Sequence, residues 1–169
     1  MLSAYSMRAL LEQIEKEFLR IHDHSLALID VLDADELYRA PDSSRNGGSC
    51  GEYLLRSAAA IEQMSGGLTT RLWDDPFEWT LPERLATPND VREYFDEVRK
   101  ALGSAFAFIK HDDELTRTLP APERIRTLIE VLLSTVTISS HFLGRAYAIY
   151  PLVTGRRSPG LHPSFDSRF

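Results

Sequence analysis

Apolar side chains recur every three or four residues through four long stretches of the chain, and no convincing strand pattern interrupts them. In the first stretch Met7, Leu10, Ile14, Phe18, Ile21, Ser25, Leu28 and Leu32 make one stripe with charged residues between them, the period of a helix that buries a single face. The second opens at Ser49 with Glu52 three residues on, a pair able to satisfy each other's free backbone amides. Its stripe is Leu54, Ser57 or Ala58, Ile61, Met64 or Ser65, and Leu68. Small residues from Ser57 to Ala60 let a neighbouring helix come close, while Gly66 and Gly67 are expected to weaken the last turns. The third begins at Thr87, with Pro88 in the first helical position and Asp90 in the first turn, where amide dipoles favour negative charge. Val91, Tyr94, Phe95, Val98, Leu102, Ala105, Phe108 and Ile109 form its apolar face. The fourth is expected to run from about Glu123 to Tyr150, with Ile125, Leu128, Ile129, Leu132, Val136, Leu143 and Ile149 inward and Pro151 closing it.

Helices of similar length bury their stripes best side by side, so the expected fold class is all-α, a four-helix bundle. The connections RAPDSSRNGGS, WDDPFEWTLPERLATP and HDDELTRTLPAP are long for a minimal bundle, which permits crossovers instead of simple up-and-down order. The bundle is expected over residues 1–155, followed by a Gly/Pro/Ser/Arg-containing tail at 156–169 that has no period of its own. A chain of 169 residues, 43% of them hydrophobic, supports one core but hardly two.

Charge and cysteine content narrow the function. With 19 basic and 25 acidic side chains the formal net charge is −6, so no basic surface is expected to hold nucleic acid or an anionic membrane. No uncharged apolar run approaches the roughly 20 residues of a membrane span. Charged residues also interrupt the amino-terminal segment before an export signal could form, so the cytoplasm is the expected compartment. A single cysteine, Cys50, excludes an intrachain disulfide framework and a thiolate metal cluster. Its place in a helix's first turn could favour the thiolate, but no second cysteine or local histidine is there to use it, and a chemically idle thiol is the preferred reading.

The histidines are scattered. His22 and His24, two apart on one helix, point roughly 200 degrees from each other and cannot face one ion. His111 stands at a helix end and His162 in the tail. The acidic clusters Asp74–Asp75 and His111–Glu114 lack the alternating spacing and glycine of a calcium loop. Trp73, Phe77 and Trp79 read as a lid over the core. No phosphate-binding glycine loop, Gly-x-Ser-x-Gly elbow or His-Glu-x-x-His motif is present.

The order of elements, with LYRAPDSSRNGGSCGEYLLRSAAAIE ahead of the long middle connection and LIEVLLSTVTISSHFLGRAYAIYPLVTG at the end, resembles the DinB-like (DinB/YfiT) superfamily, which includes bacterial thiol-dependent S-transferases. The similarity covers about Met7 to Gly155. It implies a four-helix bundle, often dimeric, with a divalent metal near one end of the core. That metal is usually held by three histidines, one in a Leu-Leu-x-His pattern and two in a His-x-x-x-His-x-Gly-Gln pattern. Here the first reads Leu54-Leu55-Arg56-Ser57 and the second Ile138-Ser139-Ser140-His141-Phe142-Leu143-Gly144-Arg145. Ser57, Ile138 and Phe142 then occupy the ligand positions, and none of them offers an imidazole. His141 lies one residue from a ligand position, a turn of about 100 degrees, and alone it is too few for a metal.

The sequence therefore points to a metal-free, cofactor-free protein with a degenerate metal site, no catalytic residue and a small ligand pocket formed by Ser57, Ser134, Ile138, His141 and Phe142. Ile138 and Phe142 are expected to fill the old site with hydrocarbon. A small molecule and a second copy, as a homodimer, are the expected partners. The alternative is a divalent-metal-dependent transferase or hydrolase of the same superfamily, using a displaced metal or His141 as acid and base.

Overall fold

Ser49, Thr87 and Thr127 each start a long helix in the computed structural model, which describes residues 8–41, 48–76 and 84–160. Their hydroxyls accept the amides of Glu52 (3.2 Å), Asp90 (3.2 Å) and Glu130 (3.4 Å). The first two caps are reciprocal, since Ser49 N donates to Glu52 (2.7 Å), as the sequence spacing predicts, and Thr87 N to Asp90 (2.9 Å). Helix α1 is Ala9–Ile29, the one-turn α2 is Ala34–Leu37, α3 is Cys50–Thr69 and α4 is Pro88–Phe108. After a 3-10 turn at Asp112–Thr116, the short strands β1 (Thr118–Pro120) and β2 (Ile125–Thr127) pair antiparallel, and α5 covers Leu128–Thr154. Met7, Phe77, Trp79, His162 and residues 42–47 of the first loop lie outside the described residues.

Helix α1 has no side-chain cap of its own. Its first amides are taken instead by Asp112, 102 residues away, whose carboxylate accepts Leu10 N (2.9 Å) and Leu11 N (3.0 Å). An acid there meets both free donors and the positive end of the helix dipole.

Side-chain contacts fix the helix directions. Arg8 donates to the Ile109 carbonyl (2.8 Å) at one end, and Asp30 pairs with Arg92 at the other, so α1 and α4 are antiparallel. Tyr147 donates to the His24 carbonyl (2.9 Å) and Arg156 to that of Val31 (2.9 Å), so α1 and α5 are parallel. Cys50 meets Ala146 and Ser57 meets Ser139, which makes α3 and α5 antiparallel. Tyr38 lies against Gly51 at the start of α3 and donates to the Leu85 carbonyl (2.6 Å) just ahead of α4. Helices α3 and α4 therefore start at the same end and run parallel. Helices α1 and α3 each pack on both α4 and α5, around a core that includes Phe18, Leu28, Leu54, Met64, Phe95, Phe106, Leu128 and Leu132. No helix of the described residues is long and apolar enough to cross a membrane.

Two boundaries differ from the sequence reading. Residues 123–127 are not helical: Ile125–Thr127 pairs with Thr118–Pro120 across Pro122, and α5 starts only at Leu128. Nor does Pro151 close α5, which continues to Thr154 and ends on Gly155 at φ 68°, the left-handed conformation glycine adopts without strain. A proline in a helix cannot donate to the carbonyl four residues back. That carbonyl, on Tyr147, instead accepts the Ser158 hydroxyl (3.3 Å). The start of the expected tail is thus folded back on the helices, with Arg156 also paired to Glu36.

Candidate functional site

The α3–α5 seam carries the positions at which the resemblance places a metal. Ser57 is buried, and its hydroxyl donates to the Ser139 carbonyl (2.9 Å). The small side chains of Ser57, Ala58 and Ser139 let the two helices come this close. Two turns towards the start of α3, Cys50 is fully buried with Sγ 3.5 Å from the Ala146 carbonyl. Burial, with a further contribution from the Glu36 charge, pushes this thiol up to about 12, so the helix dipole does not produce a thiolate.

Phe142 is half-buried and stacks on Tyr53, with ring centroids 6.3 Å apart and planes at 18°. Arg145 lies over the Tyr53 ring at 4.3 Å, and Arg56 over Phe142 at 5.9 Å. His141 is exposed and meets Phe142 edge-on at 5.6 Å. Ile138 is 47% exposed, so the expected filling of the old site by two buried hydrocarbon side chains does not hold. Alternating cations and rings cover the seam instead.

A divalent metal does not fit these positions. Ile138 and Phe142 have no donor atom, and the one hydroxyl, on Ser57, is already committed to a helix carbonyl. Among the described residues no group of three or more His, Cys, Asp and Glu side chains has a metal-holding arrangement. His22 is buried between α1 and α4, edge-on to Phe95 at 6.1 Å and with Nε2 3.7 Å from Asp96.

Farther along the same seam, towards the start of α5, lies a cavity of about 290 Å³. Ala60, Gln63 and Met64 of α3, Val131, Ser134, Thr135 and Ile138 of α5, Trp73, and Ala121, Pro122, Glu123 and Arg126 of the hairpin form its walls. Of the five residues expected to share a pocket, Ser134 and Ile138 line this cavity; Ser57 is turned into the helix seam, and His141 and Phe142 stand on the neighbouring surface.

Each wall has a local cause. Trp73 lies flat on Gly67, where a methyl group would come within 2.3 Å of the indole, so this glycine serves close approach. Gln63 holds the Trp73 backbone by donating to its carbonyl (2.9 Å). Arg126 is fixed by the hairpin register opposite Leu119, one residue before the α5 cap. Its Nε is buried and has no hydrogen-bond partner among the described residues. Its other contact is a long ion pair, 3.6 Å, to Glu123, whose side chain is 83% exposed. The nearby Arg124 is engaged differently: it bonds Glu130 and holds that carboxyl below its ordinary range.

The sequence reading missed Arg126, Gln63 and Glu123. Reading Glu123–Thr127 as helix hid the turn that brings Arg126 over α3. Comparison of the chain with protein-family models and with curated proteins returned no match.

Proposed function

We propose that the chain is a DinB-like four-helix bundle that acts in the cytoplasm as a metal-free small-ligand-binding or accessory protein. The observation that carries this reading is the use made of the three positions where the family pattern has histidine. Ser57 and Phe142 make packing contacts to Ser139 and Tyr53, and Ile138 forms part of a cavity wall. Support for the bundle comes from four long helices that pack in pairs, with residues 57 and 139 in contact where the pattern needs α3 and α5 to converge. Support for a ligand comes from the mixed apolar and polar walls beside that point, the usual composition of a small-molecule site. An enzyme built on His141 finds less support, because this side chain is exposed beside Phe142 and away from the cavity.

The same reading includes a homodimer. Leu133 and Leu152 are 51% and 66% exposed on α5, on the side that also presents Ser140, Gly144 and Ala148. Small residues four apart allow a second helix to approach closely, and two-fold pairing is the commonest oligomer.

Untagged protein, dialysed and measured for zinc, nickel, manganese and iron, tests the metal-free reading. Substoichiometric metal that does not change in His141→Ala is the expected result. Stoichiometric metal lost in that variant refutes it.

A further inference from the structure

We propose that the cavity between α3, α5 and the hairpin binds a small monocarboxylate with a flat apolar body, the carboxylate on Arg126 and the body between Trp73 and Ile138. The inference rests on the ligand-binding reading above and adds the class of ligand.

Size comes first. At about 30 Å³ per water, a cavity of about 290 Å³ holds roughly ten waters, at the small end of ligand sites. A single-ring molecule matches that volume.

Shape and polarity follow from the walls. Trp73, held against Gly67, gives one flat side. Ala60, Met64, Val131, Pro122 and Ile138 supply hydrocarbon around it. Thr135 adds little polarity, because its hydroxyl is spent on the Val131 carbonyl (2.9 Å).

Charge then selects the head group. Arg126 is the cationic residue in the wall, and the contact of its Nη2 to Glu123 is long, 3.6 Å. The outer Nη1–Nη2 end of the guanidinium, beyond the buried Nε, matches the two oxygens of a carboxylate. The Glu123 carboxylate, 3.6 Å from Nη2 and mostly in solvent, is held loosely enough to be exchanged for it. Glu123, turned to solvent, stays beside the site, so a bound monocarboxylate adds one uncompensated negative charge. A dianionic phosphate would add two.

The test uses trans-cinnamate, its neutral counterpart trans-cinnamamide, and phenyl phosphate as probes of the full-length protein. Binding is read by calorimetry and by NMR of the Arg126 Nε–H and the Ser134 and Ile138 amides. Cinnamate is expected to shift all three signals and to bind more tightly than either other probe. Arg126→Gln should weaken cinnamate by roughly tenfold or more, whereas Arg124→Gln should not. Glu123→Gln, on an exposed turn, should tighten it and covers the case in which Arg126→Gln fails to fold. Equal binding of cinnamamide overturns the carboxylate assignment and leaves a ligand pocket standing. Preference for phenyl phosphate overturns the monocarboxylate. No shift from any probe overturns this assignment together with the pocket on which it rests.

Discussion

Gly67→Ala sets helix propensity against close packing in a way that one experiment can decide. Inside an exposed helix, alanine is favoured over glycine by about 1 kcal/mol. At this position the new methyl would lie 2.3 Å from Trp73 Cδ2 and 2.4 Å from Cε2, where carbons in good contact need about 3.5 Å or more. The indole must move by about an ångström, and its backbone is tied to Gln63. Overpacking of this kind costs about 1–3 kcal/mol. The difference is a net loss of up to about 2 kcal/mol, centred near 1, which for a chain of this length lowers Tm by about 2–4 °C. In a Trp73→Ala background the clash is gone and only propensity remains, so the same substitution should stabilise by about 1 kcal/mol. Urea unfolding of the four proteins, followed by circular dichroism, gives a coupling equal to the packing cost. If Gly67→Ala stabilises equally in both backgrounds, the indole does not lie on Gly67, and the cavity wall is wrong.

Other consequences are testable individually. Cys50 holds its proton up to about 12, whereas an unfolded thiol releases it near 9.0; stability present below pH 9 should therefore fall as pH rises from 9 towards 12, and Cys50→Ser should flatten that part of the profile. At pH 8 a thiol reagent should label Cys50 only as fast as the protein unfolds, and rapid labelling would show that the side chain is accessible. Asp112→Ala removes the remote cap of α1 and should cost about 1 kcal/mol, with faster hydrogen exchange at the Leu10 and Leu11 amides. Ser57→Ala deletes one buried hydrogen bond and should cost about 1 kcal/mol by urea unfolding; no loss would mean that the Ser139 carbonyl is indifferent to it. Sedimentation at micromolar concentration should show a dimer that Leu133→Glu with Leu152→Glu converts to monomer, and a wild-type monomer ends that part of the proposal.

The parts of the fold that were legible are those governed by neighbours in sequence. The reciprocal caps at Ser49 and Thr87 and the stripe from Ile14 to Leu28 depend on residues three or four apart. A similar signal was present at Asp33 and Glu36, whose reciprocal cap begins α2, but one turn is too short to show a period. The start of α5 was misread because Ile125 continues the apolar spacing of the helix, although it is exposed in a strand. Pro151 misled in the opposite direction: its cost is offset by Ser158, which approaches Tyr147 only after the chain turns at Gly155. For the candidate site, Ile138 comes from the family pattern and Ser134 from lying on the same side of its helix, while Arg126 depends on strand pairing with Leu119. The cap of α1 by Asp112 joins two ends that no local pattern connects.

The directions of the helices also constrain when folding can happen. A nascent chain that has reached Thr69 contains α1 and α3, yet the helices against which both are buried, α4 and α5, have still to be made. Each stripe gains part of its cover from α4 and the rest only when α5, which begins at Leu128, has been made, so α1 and α3 are exposed to chaperones and to aggregation in the meantime. Emergence of α5 from the ribosome, and not the completion of any early hairpin, is the event that lets this protein close.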